Sequence, residues 1–122
     1  MNRTIMLAAC VFTLAVPLSS SAQDMAVTAG EQAKVVLDND KVRVIQLDIA
    51  PGGKTGMHSH GDSLVVFLTG ADATQTGADG TKTQRRTEAG EVMWSEPVTH
   101  DTENTGKEAV KVLVVELKEP AK

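Results

Sequence analysis

Residues 51–70 read Pro-Gly-Gly-Lys-Thr-Gly-Met-His-Ser-His-Gly-Asp-Ser-Leu-Val-Val-Phe-Leu-Thr-Gly, and the reading of fold and function works outward from them. Pro51-Gly52-Gly53 is turn chemistry. Leu64 to Leu68 is an unbroken apolar run stopped by Thr69-Gly70, which predicts a strand buried on both faces or nearly so. Between turn and strand stands His58-Ser59-His60. On a strand, alternate side chains share a face and sit about 6.5–7 Å apart along the chain. Both imidazoles can therefore converge on one ion held above the strand. His100 is the third histidine of the chain, and from a neighbouring strand it completes one face of a tetrahedron or octahedron. By itself an i, i+2 histidine pair is a weak motif; its place between a glycine turn and an apolar strand strengthens it.

The flanking sequence reads as more strands. Val35-Val36-Leu37 ends at the turn Asp38-Asn39-Asp40, and the β-branched stretch Val42 to Ile49 alternates in period two. Thr74 to Arg86 forms two threonine-rich arms around Ala78-Asp79-Gly80, a hairpin signal. Glu88-Ala89-Gly90-Glu91 is a turn, Val92-Met93-Trp94 starts a short strand, and Glu96-Pro97 breaks it. Ala109 to Leu117 is the clearest strand of all. Short strands, glycine turns and no convincing amphipathic helix define an all-β sandwich or barrel.

The 122 residues suit one domain. Residues 1–22 read as an export signal: Asn2-Arg3, an apolar run from Ile5 to Leu18, then the small residues Ser19-Ser20-Ser21-Ala22. The run is short for a membrane span, which needs about 20 apolar residues. Cleavage after Ala22 predicts a protein of the periplasm or the exterior, with no membrane segment left. Cys10 lies inside the signal, and Leu7-Ala8-Ala9-Cys10 is too early in the apolar run for a lipid-attachment site. The mature chain then has no cysteine, so disulfides, thiolate metal ligands and cysteine nucleophiles are all excluded. Residues 23–33, small and polar, are expected to be a flexible N-terminal arm, and 34–118 the barrel. Loss of Arg3 takes the net charge from -4 to -5. A mildly acidic domain without a basic stripe, carrying only Phe67 and Trp94 as aromatics, is a poor nucleic-acid binder.

Two segments resemble the paired motifs of the cupin superfamily. Gly52, five residues, His58-Ser59-His60 and a strand ending at Gly70 look like the first. Gly90-Glu91-Val92-Met93-Trp94, then Pro97 and His100, with Asn104 and Gly106 following, look like the second. With its flanking strands the resemblance spans about Val35 to Leu117, at the size of a small single-domain cupin of the conserved-barrel type. It implies one double-stranded β-helix (a jelly-roll barrel), a divalent metal ion (Fe, Mn, Ni, Cu or Zn), a small-molecule substrate or ligand, and a homodimer. Dioxygenase, isomerase and decarboxylase chemistry are all represented among such proteins, as are barrels that bind without turnover and barrels whose site is vestigial.

The departures bear on the ligand set. The first motif usually supplies a glutamate four or five residues after its second histidine, where this chain has Leu64 and Val65. The second usually carries a glycine two residues after its proline, where this chain has Thr99. Asp62 shares strand parity with His58 and His60 and can replace the carboxylate if Gly61 does not bend the strand; Glu96, beside Pro97, is a weaker candidate. The default ligand set is His58, His60 and His100, with Asp62 as the possible fourth member. Leu64, Val66 and Leu68 are expected to line the barrel, and Met93 and Trp94 to border the pocket or pack in the core. Asn104 is expected to secure a turn, and Arg85-Arg86 to form a solvated hairpin edge.

Overall fold

The computed structural model describes residues 23–119, so the expected export signal lies outside the described residues. Among the described residues, nine strands follow a short α-helix, α1 (Met25–Thr28), and a 3-10 turn at Gly30–Gln32. The strands are β1 (Ala33–Asp38), β2 (Val42–Ile49), β3 (His58–His60), β4 (Ser63–Phe67), β5 (Ala71–Gly77), β6 (Lys82–Thr87), β7 (Val92–Ser95), β8 (Val98–Asn104) and β9 (Val110–Leu117). They form a five-stranded sheet ordered β1-β2-β9-β4-β7 and a four-stranded sheet ordered β3-β8-β5-β6. All pairings are antiparallel. This is the all-β, double-stranded β-helix architecture expected from the strand pattern.

The core follows from strand alternation. Ile45, Leu47 and Ile49 of β2 and Val110, Val112 and Val114 of β9 point inward from the five-stranded sheet and are buried. Strand β4 adds Val65 and Phe67, which pack against that cluster. Here the sequence reading had the wrong parity: Leu64, Val66 and Leu68 were the expected lining. Leu68 is instead exposed, and Ser63, Val65 and Phe67 are the inward set. An apolar run without a polar residue on either face carries no phase. The phase is set by register, with Ser63 opposite Ser95 on β7 and Val65 opposite Met93.

The N-terminal segment is a second correction. Gln23 to Ala33 was expected to be a flexible arm, yet Met25 and Ala29 are buried in the core. Asp24 explains the docking. Its Oδ1 caps α1 by accepting from the Ala26 N–H at 3.0 Å. Its two carboxylate oxygens also take the Arg43 guanidinium at 2.7 and 2.8 Å, while Arg43 Nε donates to Glu116 at 2.7 Å. The fork-on-fork geometry holds the Asp24 carboxyl below its ordinary range and clamps α1 to β2 and β9. No hydrophobic period marks this segment because only Met25 and Ala29 of it are fully buried in the core, with Ala26 and Ala33 packed at its edge.

Truncating a docked anchor costs far more than truncating a solvated arm. Met25→Ala is expected to lower unfolding free energy by about 2–4 kcal/mol in denaturant titration; a change within about 0.5 kcal/mol would mean the segment is undocked.

Candidate metal centre

Strand β3 pairs with β8 so that His58 sits directly opposite His100, with Ser59 opposite Thr99 and His60 opposite Val98. Alternation then sends His58, His60 and His100 to the inner face. Their ring centroids are 4.8 Å (His58–His100), 5.3 Å (His60–His100) and 5.7 Å (His58–His60) apart. One nitrogen from each ring lies within 4.8 Å of the others.

The backbone decides which nitrogens face the centre. His58 Nδ1 is 2.7 Å from the Gly56 carbonyl and His60 Nδ1 is 2.9 Å from the Gly61 carbonyl. A carbonyl can only accept, so each Nδ1 carries the proton and each Nε2 keeps its lone pair. Gly56 adopts φ +75°, and a Cβ there would meet Thr28 at 3.1 Å, so the loop that presents this carbonyl requires glycine. The second carbonyl partner is the kind of outer contact that orients metal-bound imidazoles.

His60 Nε2 and His100 Nε2 are 3.3 Å apart. Without an ion, a proton on His100 Nε2 must separate the two lone pairs. With one, the spacing is already that of two nitrogens each bound at about 2.0–2.1 Å to a tetrahedral centre, roughly 3.3–3.4 Å. Closing the widest pair takes a ring movement on the order of 1 Å. The donor set therefore fits a divalent ion of the imidazole-preferring kind.

Burial lowers the pKa of His58, and lowers that of His100 to about 4, with the neighbouring histidines adding to the latter. Both rings are therefore neutral at pH 7, the protonation state a metal ligand needs.

Asp62 does not join the group. It lies in the two-residue link between β3 and β4, where its carbonyl accepts from the Leu117 N–H at 3.0 Å. Among the described residues, the only metal-competent cluster is made of the three histidines. Gly61 breaks the strand, so the parity that linked Asp62 to His60 is lost. Glu96 is also elsewhere, accepting from Trp94 Nε1 at 3.1 Å on the exposed side of β7.

The histidines stand at one end of a cavity of about 110 Å³. The five-stranded sheet lines it with Leu47, Ile49, Val65, Phe67, Val112 and Val114; besides the histidines, the four-stranded sheet adds Gln75, Arg85, Thr87 and Thr102, and the loop before β3 adds Thr55. No aspartate or glutamate lines it. Met93 reaches the cavity, whereas Trp94 is 49 % exposed on the outer face. Asn104 does secure a turn: its Nδ2 donates to the carbonyls of Ile49 and Glu108, and its Oδ1 accepts from the Gly106 N–H. Thr55, Gly56 and Arg85 were not singled out as site residues. For Arg85 the signal was available, since its strand parity matches that of buried Thr87.

With this geometry established, the fold and site together define a cupin barrel with a three-histidine centre. No protein-family profile matches the sequence, and no curated protein is similar to it in sequence. Solved structures are. A cupin domain from Bordetella pertussis Tohama I is 27% identical, covers 71% of this chain and 92% of its own, and superposes with a TM-score of 0.67. An RmlC-like cupin with a double-stranded β-helix fold from Methanocaldococcus jannaschii shares 12% identity over 75% of this chain and 84% of its own (TM-score 0.60). A predicted oxalate decarboxylase from Thermotoga maritima shares 19% identity over 70% and 79%, with a TM-score of 0.52. The chain is a small protein of the cupin superfamily.

A histidine kept neutral by burial binds a proton on unfolding, so its contribution to stability falls as pH drops from its unfolded value near 6.5 toward about 4. The metal-free protein is accordingly expected to lose thermal stability over that window. The loss should be shallower in His100→Gln; an identical pH profile in the variant would show that His100 is not held neutral.

Proposed function

We propose that this protein is an exported, metal-dependent cupin that acts on a small molecule. The observation that supports it most directly is the convergence of three imidazoles, His58 and His60 with their Nδ1 protons tied to backbone carbonyls, on one cavity. His58, His60 and His100 are the ligands. A bound divalent ion supplies Lewis acidity and open positions for a substrate or O₂, the chemistry of dioxygenase- and isomerase-type cupins. The chain's own residues do the rest. Val65, Phe67, Val112 and Val114 exclude water, and a cavity of about 110 Å³, below the roughly 150 Å³ that holds benzene, suits a ligand of only a few heavy atoms.

One observation favours a second reading, a periplasmic barrel that binds a metal or ligand without turnover. No carboxylate lines the cavity, so no side chain outside the histidines is placed as a general base. Oxygen uptake by the metal-loaded protein across small chelating substrates separates the two.

The apolar and small residues at 5–22 support export and removal of residues 1–22. We also propose a homodimer, on the outer face of the five-stranded sheet. Register aligns Leu37, Val44, Val115, Leu64 and Trp94 in one row across all five strands, with Leu113, Val66 and Val92 beside it. An apolar row of that extent on an outer face is suited to a second copy of itself.

Protein purified from its native compartment should begin at Gln23 and carry about one divalent ion per chain by elemental analysis, and His58→Ala should lose the ion. Absence of stoichiometric metal, with unaltered stability in the variant, removes both metal readings. Sedimentation should give twice the chain mass, reduced to a monomer by Leu64→Lys; a monomeric wild type refutes the dimer.

A further inference from the structure

The rim of the cavity on the β6 side carries an arginine that has no carboxylate partner among the described residues. Alternation along β6 turns Arg86 outward, where its Nε is 3.8 Å from Asp72, and Arg85 toward the rim of the cavity, which it helps to line while remaining exposed to solvent. Among the described residues Arg85 has no carboxylate partner; its Nη1 meets only the Met93 sulfur at 3.4 Å, a weak acceptor. Beside it, Thr87 is 6% exposed and its Oγ1 has no hydrogen-bond partner. A hydroxyl buried without a partner is destabilising, and a ligand acceptor would supply the missing hydrogen bond. Gln75, two residues beyond Arg85's partner Ala73 on β5 and toward the histidines, also lines the cavity.

We propose that the cavity binds a short-chain carboxylate, its carboxylate held by Arg85 with Thr87 and its other end directed past Gln75 at the histidines. The guanidinium fork matches a planar carboxylate in two parallel hydrogen bonds, and a site flanked by aliphatic side chains accepts the intervening carbons. A bound dication at the histidines and Arg85 at the opposite end, with no acid between them, make the cavity strongly cationic. Register places Arg85 opposite Ala73 and His100 opposite Gly77, so the two ends are on different strands and separated by four residues along β5. Their backbones are on the order of 15 Å apart, and the long arginine side chain spans part of that gap. The inference deepens the small-molecule reading above and rests on it for the orientation of the ligand, not for the anion site itself.

Calorimetric titration of zinc-loaded protein with butyrate, and with the neutral isostere butyramide, tests it. Wild type should bind butyrate at least tenfold more tightly than butyramide. Arg85→Gln should lose that discrimination while keeping the zinc stoichiometry of wild type, Arg85→Lys should retain part of it, and Thr87→Val should weaken butyrate several-fold. Arg86→Gln, on the outer face, should match wild type. Equal binding of the two probes by wild type, or equal butyrate affinity in Arg85→Gln, overturns the proposal, the latter because the metal alone would then hold the anion. Repeating the titration without metal separates the two readings. Butyrate binding that is lost in Arg85→Gln sustains the anion site even if no metal binds, and zinc binding without butyrate discrimination sustains only the metal centre. Should Arg85→Gln fail to fold by circular dichroism, the Arg85→Lys and Thr87→Val affinities decide: wild-type values in both overturn the proposal.

Discussion

The antiparallel register of β3 on β8 is the constraint from which the site follows. Placing His58 opposite His100 brings a ligand pair from residues 42 positions apart in sequence to adjacent places in one ladder. Everything else serves to aim them. The Gly56 and Gly61 carbonyls fix the ring tautomers, and burial keeps two of the rings uncharged. A slip of one residue in this ladder would turn both rings of β3 toward solvent and leave His100 alone. Ser59 and Thr99, paired on the opposite face with hydroxyls 2.6 Å apart, reinforce the same register from outside.

The parts of the fold that were legible in the sequence are those where a polar residue interrupts an apolar pattern. Val42 to Ile49 and Ala109 to Leu117 alternate and were read with their ends nearly right, and the Ala78-Asp79-Gly80 turn announced its hairpin. His58, His60 and His100 could be read as a set because histidine is scarce in this chain and the spacing is that of a strand. Strand β4 shows the limit. Five apolar residues in a row say that a strand exists but not which side of it faces in, and only pairing with β7 and β9 supplies the answer.

Two other misreadings have a common physical cause, which is that local composition does not report long-range partners. The segment at Gln23 looked unstructured because its stability derives from Arg43 and Glu116, residues distant in the chain. Asp62 kept its strand parity only as long as the strand continued, and Gly61 ended it.

The two walls of the barrel have separate duties. The five-stranded sheet gives the interior its branched aliphatic packing, while the histidines, Thr55, Gln75, Arg85 and Thr87 all come from the other sheet or the loop leading into it. Substitutions that retune the ligand thus fall on one wall, and those that threaten folding fall on the facing one. Such a partition lets a lineage explore new specificities while its thermodynamic reserve stays intact, a freedom denied to proteins whose reactive groups are embedded in their own packing nucleus.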